Sequence, residues 1–560
     1  MKKTKTGMGL FYTKFRVNPL LKCSFWMLLI FSVVACNHKD RSPHGKVFRY
    51  NESKGITSLD PVYARTMPSI WPVSQLFCGL VQLDSKLYIQ PLVAKSWRVS
   101  DNGLVYTFIL RNDVTFHDNP CFKDGSGRQV VASDFVFSYR RLASPFVASP
   151  GSWVLSKVDT LNNGQPNVVA LSDTTLVIRL KEPFPAFLGL LAVPYFAVVP
   201  QEAVTAYGKE FGRNPVGCGP FMLKTWRDGE KLVFVKNPRY FEKDSLGQSL
   251  PYLDAIAVNF ITDKQSEFMA FILGNLDFIS GVSKASKDEL LTRTGSLNPK
   301  YSNRIMLLTG PYLNTEYLGF LVDAELSKGS PVLSREYRRA IAYGFDRQRM
   351  IAYLRNGLGF PAESGFIPMG LPPFSNSLKG FYYCPDSTLS ILSRMGYSNG
   401  TGLPPITLTT TDDYLDICEF IQHELSKLGV KINVEVVTGA SYRQSVADSR
   451  LPMFRGSWIA DYADAESFLS LFYSGNHSPY GPNYTHFKNR KFDDLYAQSL
   501  KQVVLGDRLK LYRQMDSLVL AECPVIPLFY DKVVRFVRTG VVGMDPNPMN
   551  IPIFKYVDIK

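Results

Sequence analysis

Between residues 405 and 436 the hydrophobic period changes twice, and that change constrains the fold more than any other stretch of the chain. Ile406 and Leu408 alternate within 405–410. Tyr414, Cys418, Ile421, Leu425 and Leu428 then recur every three or four residues, stop at Gly429, and give way to Val430, Ile432, Val434 and Val436 at period two. Strand, helix, strand in that order predicts a βαβ unit with parallel strands and a right-handed crossover. A second helix over 441–449 and an apolar run over 453–460 add a third strand. Ligands of open α/β sheets collect beyond the carboxyl ends of the strands, so residues 458–462 stand where a site is expected and Asp461 is nominated by position alone.

The rest of the chain has room for more than one such core: 560 residues, at about 150 per domain, hold several. Hydrophobic residues make up 45% and charged residues 20%, which excludes a disordered or collagen-like chain. Residues 97–99 and 104–110 read as strands joined by a hairpin turn at Ser100-Asp101-Asn102-Gly103. Ser133-Asp134 then precedes Phe135, Val136, Tyr139 and Leu142, a short capped helix by its spacing. Strands and loops return from 176 to 240, broken by the turn-formers of Asn214-Pro215-Val216-Gly217-Cys218-Gly219-Pro220-Phe221, which predict a rigid loop.

The first 35 residues carry Lys2, Lys3, Lys5, Lys14, Arg16 and Lys22, no acid, and an apolar run at 25–35 interrupted only by Ser32. This is the pattern of an export signal. It ends in Val33-Val34-Ala35-Cys36, which resembles the bacterial lipoprotein box, in which the cysteine is lipidated and becomes the new N-terminus. The expectation is a signal peptide at 1–35, a tether at 36–43, and a protein held outside the cytoplasmic membrane by lipid on Cys36. No run reaches the ~18 apolar residues of a spanning helix, which argues against a polytopic channel. Losing six cations from the formal +14 leaves a mild, scattered positive balance with no nucleic-acid footprint. Lys488, Arg490 and Lys491 precede Asp493 and Asp494, as at a solvated helix start.

Catalytic and metal signatures are missing. The six histidines, His38, His44, His117, His423, His477 and His486, form no close helical pair and are expected at the surface, and no CxxC occurs. Gly396-Tyr397-Ser398-Asn399-Gly400 matches G-x-S-x-G, but that motif needs a strand before the serine and a helix after it. Here a helical stretch over 387–395 comes first, so Gly396 is expected to end a helix. No phosphate loop or dinucleotide fingerprint is present.

Several stretches, in order, resemble the solute-binding proteins of bacterial ABC importers, specifically the oligopeptide- and dipeptide-binding family (family 5). They are Leu59-Asp60-Pro61; Ala94-Lys95-Ser96-Trp97 with Asp101-Asn102-Gly103-Leu104-Val105-Tyr106-Thr107-Phe108; Ala132-Ser133-Asp134-Phe135-Val136-Phe137-Ser138-Tyr139; Asn214 through Phe221, with Cys218 where threonine is usual; Arg338-Arg339-Ala340-Ile341 with Phe345-Asp346-Arg347; and Trp458-Ile459-Ala460-Asp461-Tyr462. The resemblance implies an α/β, periplasmic-binding-protein-like fold with two hinged lobes and a smaller inserted third lobe. By similarity lobe I is 44–64, 179–313 and 528–560, the inserted lobe II is 65–178, and lobe III is 314–527.

It also implies a role: capture of a short peptide between the lobes and delivery to the transmembrane subunits of an ABC permease, by a monomer, with no enzymatic activity, cofactor or nucleic acid. Family peptide binders hold the ligand as an added strand. Matched residue by residue, Ser457 and Ile459 supply backbone groups, Asp461 takes the α-ammonium, and Arg455 meets a ligand carboxylate, with Trp458, Tyr462 and Met67 along the wall and Arg65 beside Met67. Read without the family, Asp461 or Asp464 serves equally as a cap for 467–472, Trp458 as a wall or core residue, and Arg455 as the partner of a neighbouring acid. Rival carriers in the same fold bind a nickel chelate, haem or an oligosaccharide; rivals from another class are an exported hydrolase or a sensor.

Overall fold

The computed structural model describes residues 45–281, 283 and 286–560. The expected export signal and the lipidation expected at Cys36 fall outside the described residues. Residues 46–560 form one unit, built on three main sheets.

The largest sheet runs in the order Phe278–Ser280, Val525–Arg538, Ile305–Phe320, Met453–Ile459, Ile406–Thr410, Ile432–Val436, with Phe360–Pro361 paired to Val525–Arg538. The expected βαβ unit is its far flank: Ile406–Thr410 lies parallel to both Ile432–Val436 and Met453–Ile459. The crossovers are the helices Leu415–Ser426 and Gly439–Ala447. Ile417, Cys418, Ile421 and Leu425 bury against Leu408 and Ile432, the apolar stripe meeting the sheet. Gly429 takes a left-handed conformation (φ 81°) where an added Cβ would collide with the Asn399 carbonyl, so only glycine turns the chain there. Toward its centre the sheet becomes antiparallel, because Ile305–Phe320 runs against both of its neighbours.

A four-stranded sheet contains the predicted hairpin, Ala94–Val99 with Val105–Leu110, continued by Thr175–Arg179 and Val168–Ser172. Another places Val47–Asn51 parallel to Ala255–Asn259, followed by Lys231–Lys236 and Phe221–Arg227. The helix after the hairpin spans Ala132–Ala143, so Ser133 lies inside its first turn rather than before it. The cap is Asp134, whose carboxylate reaches back to the Val131 N–H at 2.9 Å and is gripped by Arg128 at 2.7 and 2.9 Å.

Two arginines of the recognised stretches brace the large sheet. Arg338 donates to the carbonyls of Glu522 and Cys523, both at 2.7 Å, and Arg347 to Pro527 at 2.8 Å. They fasten the helices Arg335–Tyr343 and Arg347–Arg355 to the start of Val525–Arg538. Asp346 caps the second helix through the Arg349 N–H at 3.0 Å. The predicted rigid loop at 214–221 is anchored by His117, whose amide donates to Gly217 O at 2.7 Å and whose Nε2 lies 3.0 Å from Gly219 O. His117 is 4% exposed, which corrects the expectation of surface histidines; burial pushes its imidazole pKa down to about 4.

Helix Pro385–Arg394 ends before Gly396, and Ser398 sits in a turn, so the serine motif has no nucleophile geometry. The basic cluster sits, as expected, at the exposed start of helix Arg490–Lys501. Among the described residues no helix is long and apolar enough to cross a membrane.

Candidate functional site

Met453–Ile459 pairs with Ile305–Phe320 along its whole length, from Met453 opposite Phe320 to Ile459 opposite Asn314. On its other side Ile406–Thr410 reaches only Met453 and Phe454. From residue 455 onward no strand among the described residues covers that edge. The pairing pattern fixes which backbone groups face it. Ala460 N–H donates to Leu313 O at 2.9 Å, so residues 454, 456 and 458 share bonds with Ile305–Phe320 and residues 455, 457 and 459 point the other way. The Arg455 carbonyl accordingly accepts from the Tyr442 hydroxyl. Ser457 and Ile459 are left presenting their N–H and C=O groups to the open edge. Gly456, just before Ser457, is required by packing, because the Tyr317 ring occupies the place of a Cβ.

Asp461 stands two residues beyond the end of this strand. Its amide donates to Ser467 Oγ at 3.2 Å, whereas its carboxylate has no hydrogen-bond or ion-pair partner among the described residues. The side chain keeps access to solvent, yet the protein around it raises its pKa to about 6, chiefly by burial and further by the charge of Glu466. Asp464, not Asp461, takes a backbone N–H at the start of helix Glu466–Leu469, that of Glu466 at 2.9 Å.

Arg65 carries the complementary charge. It is exposed and its side chain also lacks a partner among the described residues. Burial pushes the Tyr195 phenol up to about 12, with the Arg65 charge opposing and the Asp461 charge adding; the Tyr484 phenol is raised by burial and by Asp461, against Arg65. Two tyrosines thus sense both an unpaired acid and an unpaired base. Neither tyrosine was singled out by the sequence, since residues 65, 195, 461 and 484 meet only through the fold.

The guanidinium of Arg455 does not face open space. It is paired with Glu316 and lies against the Tyr414 ring. Ser457 Oγ donates into the same network, 2.9 Å from Asn314 Oδ1 and 3.0 Å from Glu316 Oε1. This is the internal bridging alternative, and the fork is already engaged. Trp458 donates its indole N–H to Ser467 O at 2.7 Å, so Ser467 orients both Trp458 and the Asp461 backbone. Ile459, 41% exposed, closes the strand at the surface. Tyr462 is buried, its hydroxyl bonded to Glu466 and its ring edge-on to Phe184 at 6.2 Å. Met67 opens the helix Met67–Leu76, partly buried against the core that contains Phe48 and Trp71.

A separate recess of about 150 Å³ lies between Phe77, Leu83, Pro194 and Met549, with Lys555 among its walls. It contains neither Asp461 nor the open strand edge, and Lys555 is already paired with Glu242. An unpaired charge next to unpaired backbone groups is the stronger ligand signal, because each gains a partner only when something binds. Among the described residues no group of three or more histidines, cysteines or acids is arranged to hold a metal ion.

The model of the bacterial extracellular solute-binding proteins, family 5 (middle region), matches residues 88–480. The glutathione-binding protein GsiB of Escherichia coli (strain K12) is 27% identical over 496 residues, covering 87% of this chain and 90% of GsiB. Among solved structures, the murein tripeptide binding protein MppA of Escherichia coli matches with a TM-score of 0.72 at 24% identity, over 92% of this chain and 99% of MppA. DppA from Helicobacter pylori, in complex with the peptide STSA, matches with a TM-score of 0.73 at 23% identity, over 92% of this chain and 98% of DppA.

Proposed function

The chain belongs to the bacterial extracellular solute-binding proteins, family 5, and from that premise we propose that it captures short peptides for delivery to an ABC permease. One observation carries the reading. The open edge beside Ser457 and Ile459 ends at a carboxylate that has no partner among the described residues. A peptide laid along that edge gains main-chain hydrogen bonds that ignore side-chain identity, and its α-ammonium falls to Asp461. Arg65, which acts on the same two tyrosines as Asp461, is suited to a carboxylate of the ligand. Arg455 acts indirectly, holding Glu316 and with it the strand that carries Ser457.

The reading takes residues 44–64, 179–313 and 528–560 as one lobe, 65–178 as an insertion in it, and 314–527 as the second lobe. Support for a hinge comes from the strands Ile305–Phe320 and Val525–Arg538: both boundaries fall inside this antiparallel pair, whose register breaks between Pro311 and Thr315. Ligand then favours the closed arrangement to the extent that it binds that arrangement better. The protein works as a monomer, tethered by lipid at Cys36 on the outer side of a membrane.

Incubating the protein with a mixed library of tri- and tetrapeptides and identifying what it retains by mass spectrometry tests the assignment. Intact retained peptides are expected. Cleaved peptides would point to a hydrolase, and retention of a nickel chelate, haem or an oligosaccharide with no peptide would overturn the peptide reading.

A further inference from the structure

The loop at 214–221 and the segment after helix Met67–Leu76 carry one cysteine each, and the fold lays them side by side. Gly219 N–H donates to Leu76 O at 2.9 Å. A Cβ on Gly217 or Gly219 would collide with the backbone of Gln75 and Leu76, so the two stretches meet main chain to main chain. Just past that contact, Cys78 Sγ lies 3.4 Å from the Cys218 carbonyl oxygen and against the Cys218 thiol. Val198 N–H holds the Cys78 carbonyl from the other side at 2.9 Å. Both side chains are buried, at 2% and 1% exposure. A thiol within 3.4 Å of the other cysteine's main chain, on two stretches bonded to each other through Leu76 and Gly219, brings Cys78 and Cys218 side by side. The six cysteines of the described residues are free thiols in this structure, Cys78, Cys218, Cys418 and Cys523 buried and Cys121 and Cys384 partly so.

We propose that Cys78 and Cys218 are joined as a disulfide once the protein reaches the oxidising side of the membrane. The family is extracellular, where such bonds persist. The oxidant is a disulfide, R–S–S–R. One cysteine thiolate attacks it, forming a mixed disulfide and releasing one R–SH after protonation; the second thiolate attacks the protein sulfur of that mixed disulfide and releases another R–SH. Two protein S–H bonds and the oxidant's S–S bond are exchanged for one protein S–S bond and two oxidant thiols. The protein gives up two electrons and two protons, and the oxidant takes them. The hydrogen bond to Cys218, with burial, holds the Cys78 thiol neutral in the finished fold, so the exchange belongs to folding, before the loop closes over it. The bond fastens the 214–221 loop to the wall of the recess that Cys78 lines.

Refolding the full chain in a mixture of reduced and oxidised glutathione, alkylating free thiols, and mapping peptides without reductant tests this. A peptide pair cross-linked through Cys78 and Cys218 is expected, lighter by two hydrogens than the separate peptides. Alkylation of both, or linkage of either to another cysteine, would overturn the proposal. If refolding yields no soluble protein, the same map on chain exported to the periplasm of hosts with and without their disulfide-forming oxidase decides it. The cross-link only with the oxidase supports the proposal, and no cross-link in either overturns it. Cys218→Thr should abolish the cross-link and the rise in thermal midpoint that oxidation gives the parent; an oxidation-dependent rise that survives in Cys218→Thr contradicts the assignment.

Discussion

Arg455 and Glu316 form an ion pair buried inside the central sheet, on neighbouring strands, with each side chain less than a tenth exposed. Ser457 and Asn314 hydrogen-bond to the same carboxylate. Removing one member leaves the other charge unpaired in a poor solvent, which costs about 3–5 kcal/mol. Glu316→Gln should therefore lower the denaturation free energy by that order in urea titrations, and the double variant Glu316→Gln/Arg455→Met should recover much of it. A single variant as stable as the parent would mean that the pair is not buried as described.

Asp516 offers a pH test of the fold. Its carboxyl is fully enclosed, accepts from the Phe366 N–H at 2.6 Å, and burial raises its pKa to about 7. An unfolded chain releases this proton near 3.9. Between those values the folded state holds a proton that the unfolded state has lost, so stability declines as pH rises from about 4 to about 7, by on the order of 4 kcal/mol. In Asp516→Asn the loss of thermal midpoint between pH 5 and pH 8 should be clearly smaller than in the parent. Equal losses would exclude Asp516 as the titrating group.

Local pattern made part of this structure legible. The change of period over 405–436 gave the parallel flank, and the turn residues near 102 and 217 gave the hairpin and the loop, because neighbouring residues decide those features. Position beyond a strand end was enough to nominate Asp461. Arg455 was legible only as one of two alternatives, since its partner lies 139 residues away and no spacing rule connects them. His117 was misread for the same reason: its acceptors, Gly217 and Gly219, are brought to it by a distant loop. Of the Ser133-Asp134 pair that precedes the apolar run, Asp134 with Arg128 behind it holds the helix terminus, and Ser133 lies inside the first turn.

Arg65 predicts a difference between peptide ends. Arg65→Gln should weaken binding of peptides with a free C-terminal carboxylate by about tenfold or more, while their C-terminal amides bind parent and variant alike, as fluorescence titration will measure. Equal weakening of both forms would assign Arg65 to the wall rather than to the ligand's charge.

Asp461 also predicts the pH dependence of capture. With its pKa at about 6 in the empty site, the carboxylate is ionised at pH 8 and largely protonated at pH 5. Affinity for a peptide with a free amine should be greatest near pH 7, fall below pH 6, approaching tenfold per unit, and decline again above about pH 8 as the peptide's own α-ammonium loses its proton. Asp461→Asn should remove the fall on the acid side. A parent affinity unchanged between pH 5 and pH 8 would mean that the amine is held elsewhere.

The most direct measurement is calorimetry of Asp461→Asn against the parent, using the tightest peptide from the library in its free and N-acetylated forms. Loss of a charge-pair member in an enclosed site costs about 2–5 kcal/mol, so the free peptide should bind the variant roughly 30- to 5000-fold more weakly, and acetylation should penalise the parent far more than the variant. Affinities for the free peptide within about threefold of each other would contradict the account, whatever the protein's architecture.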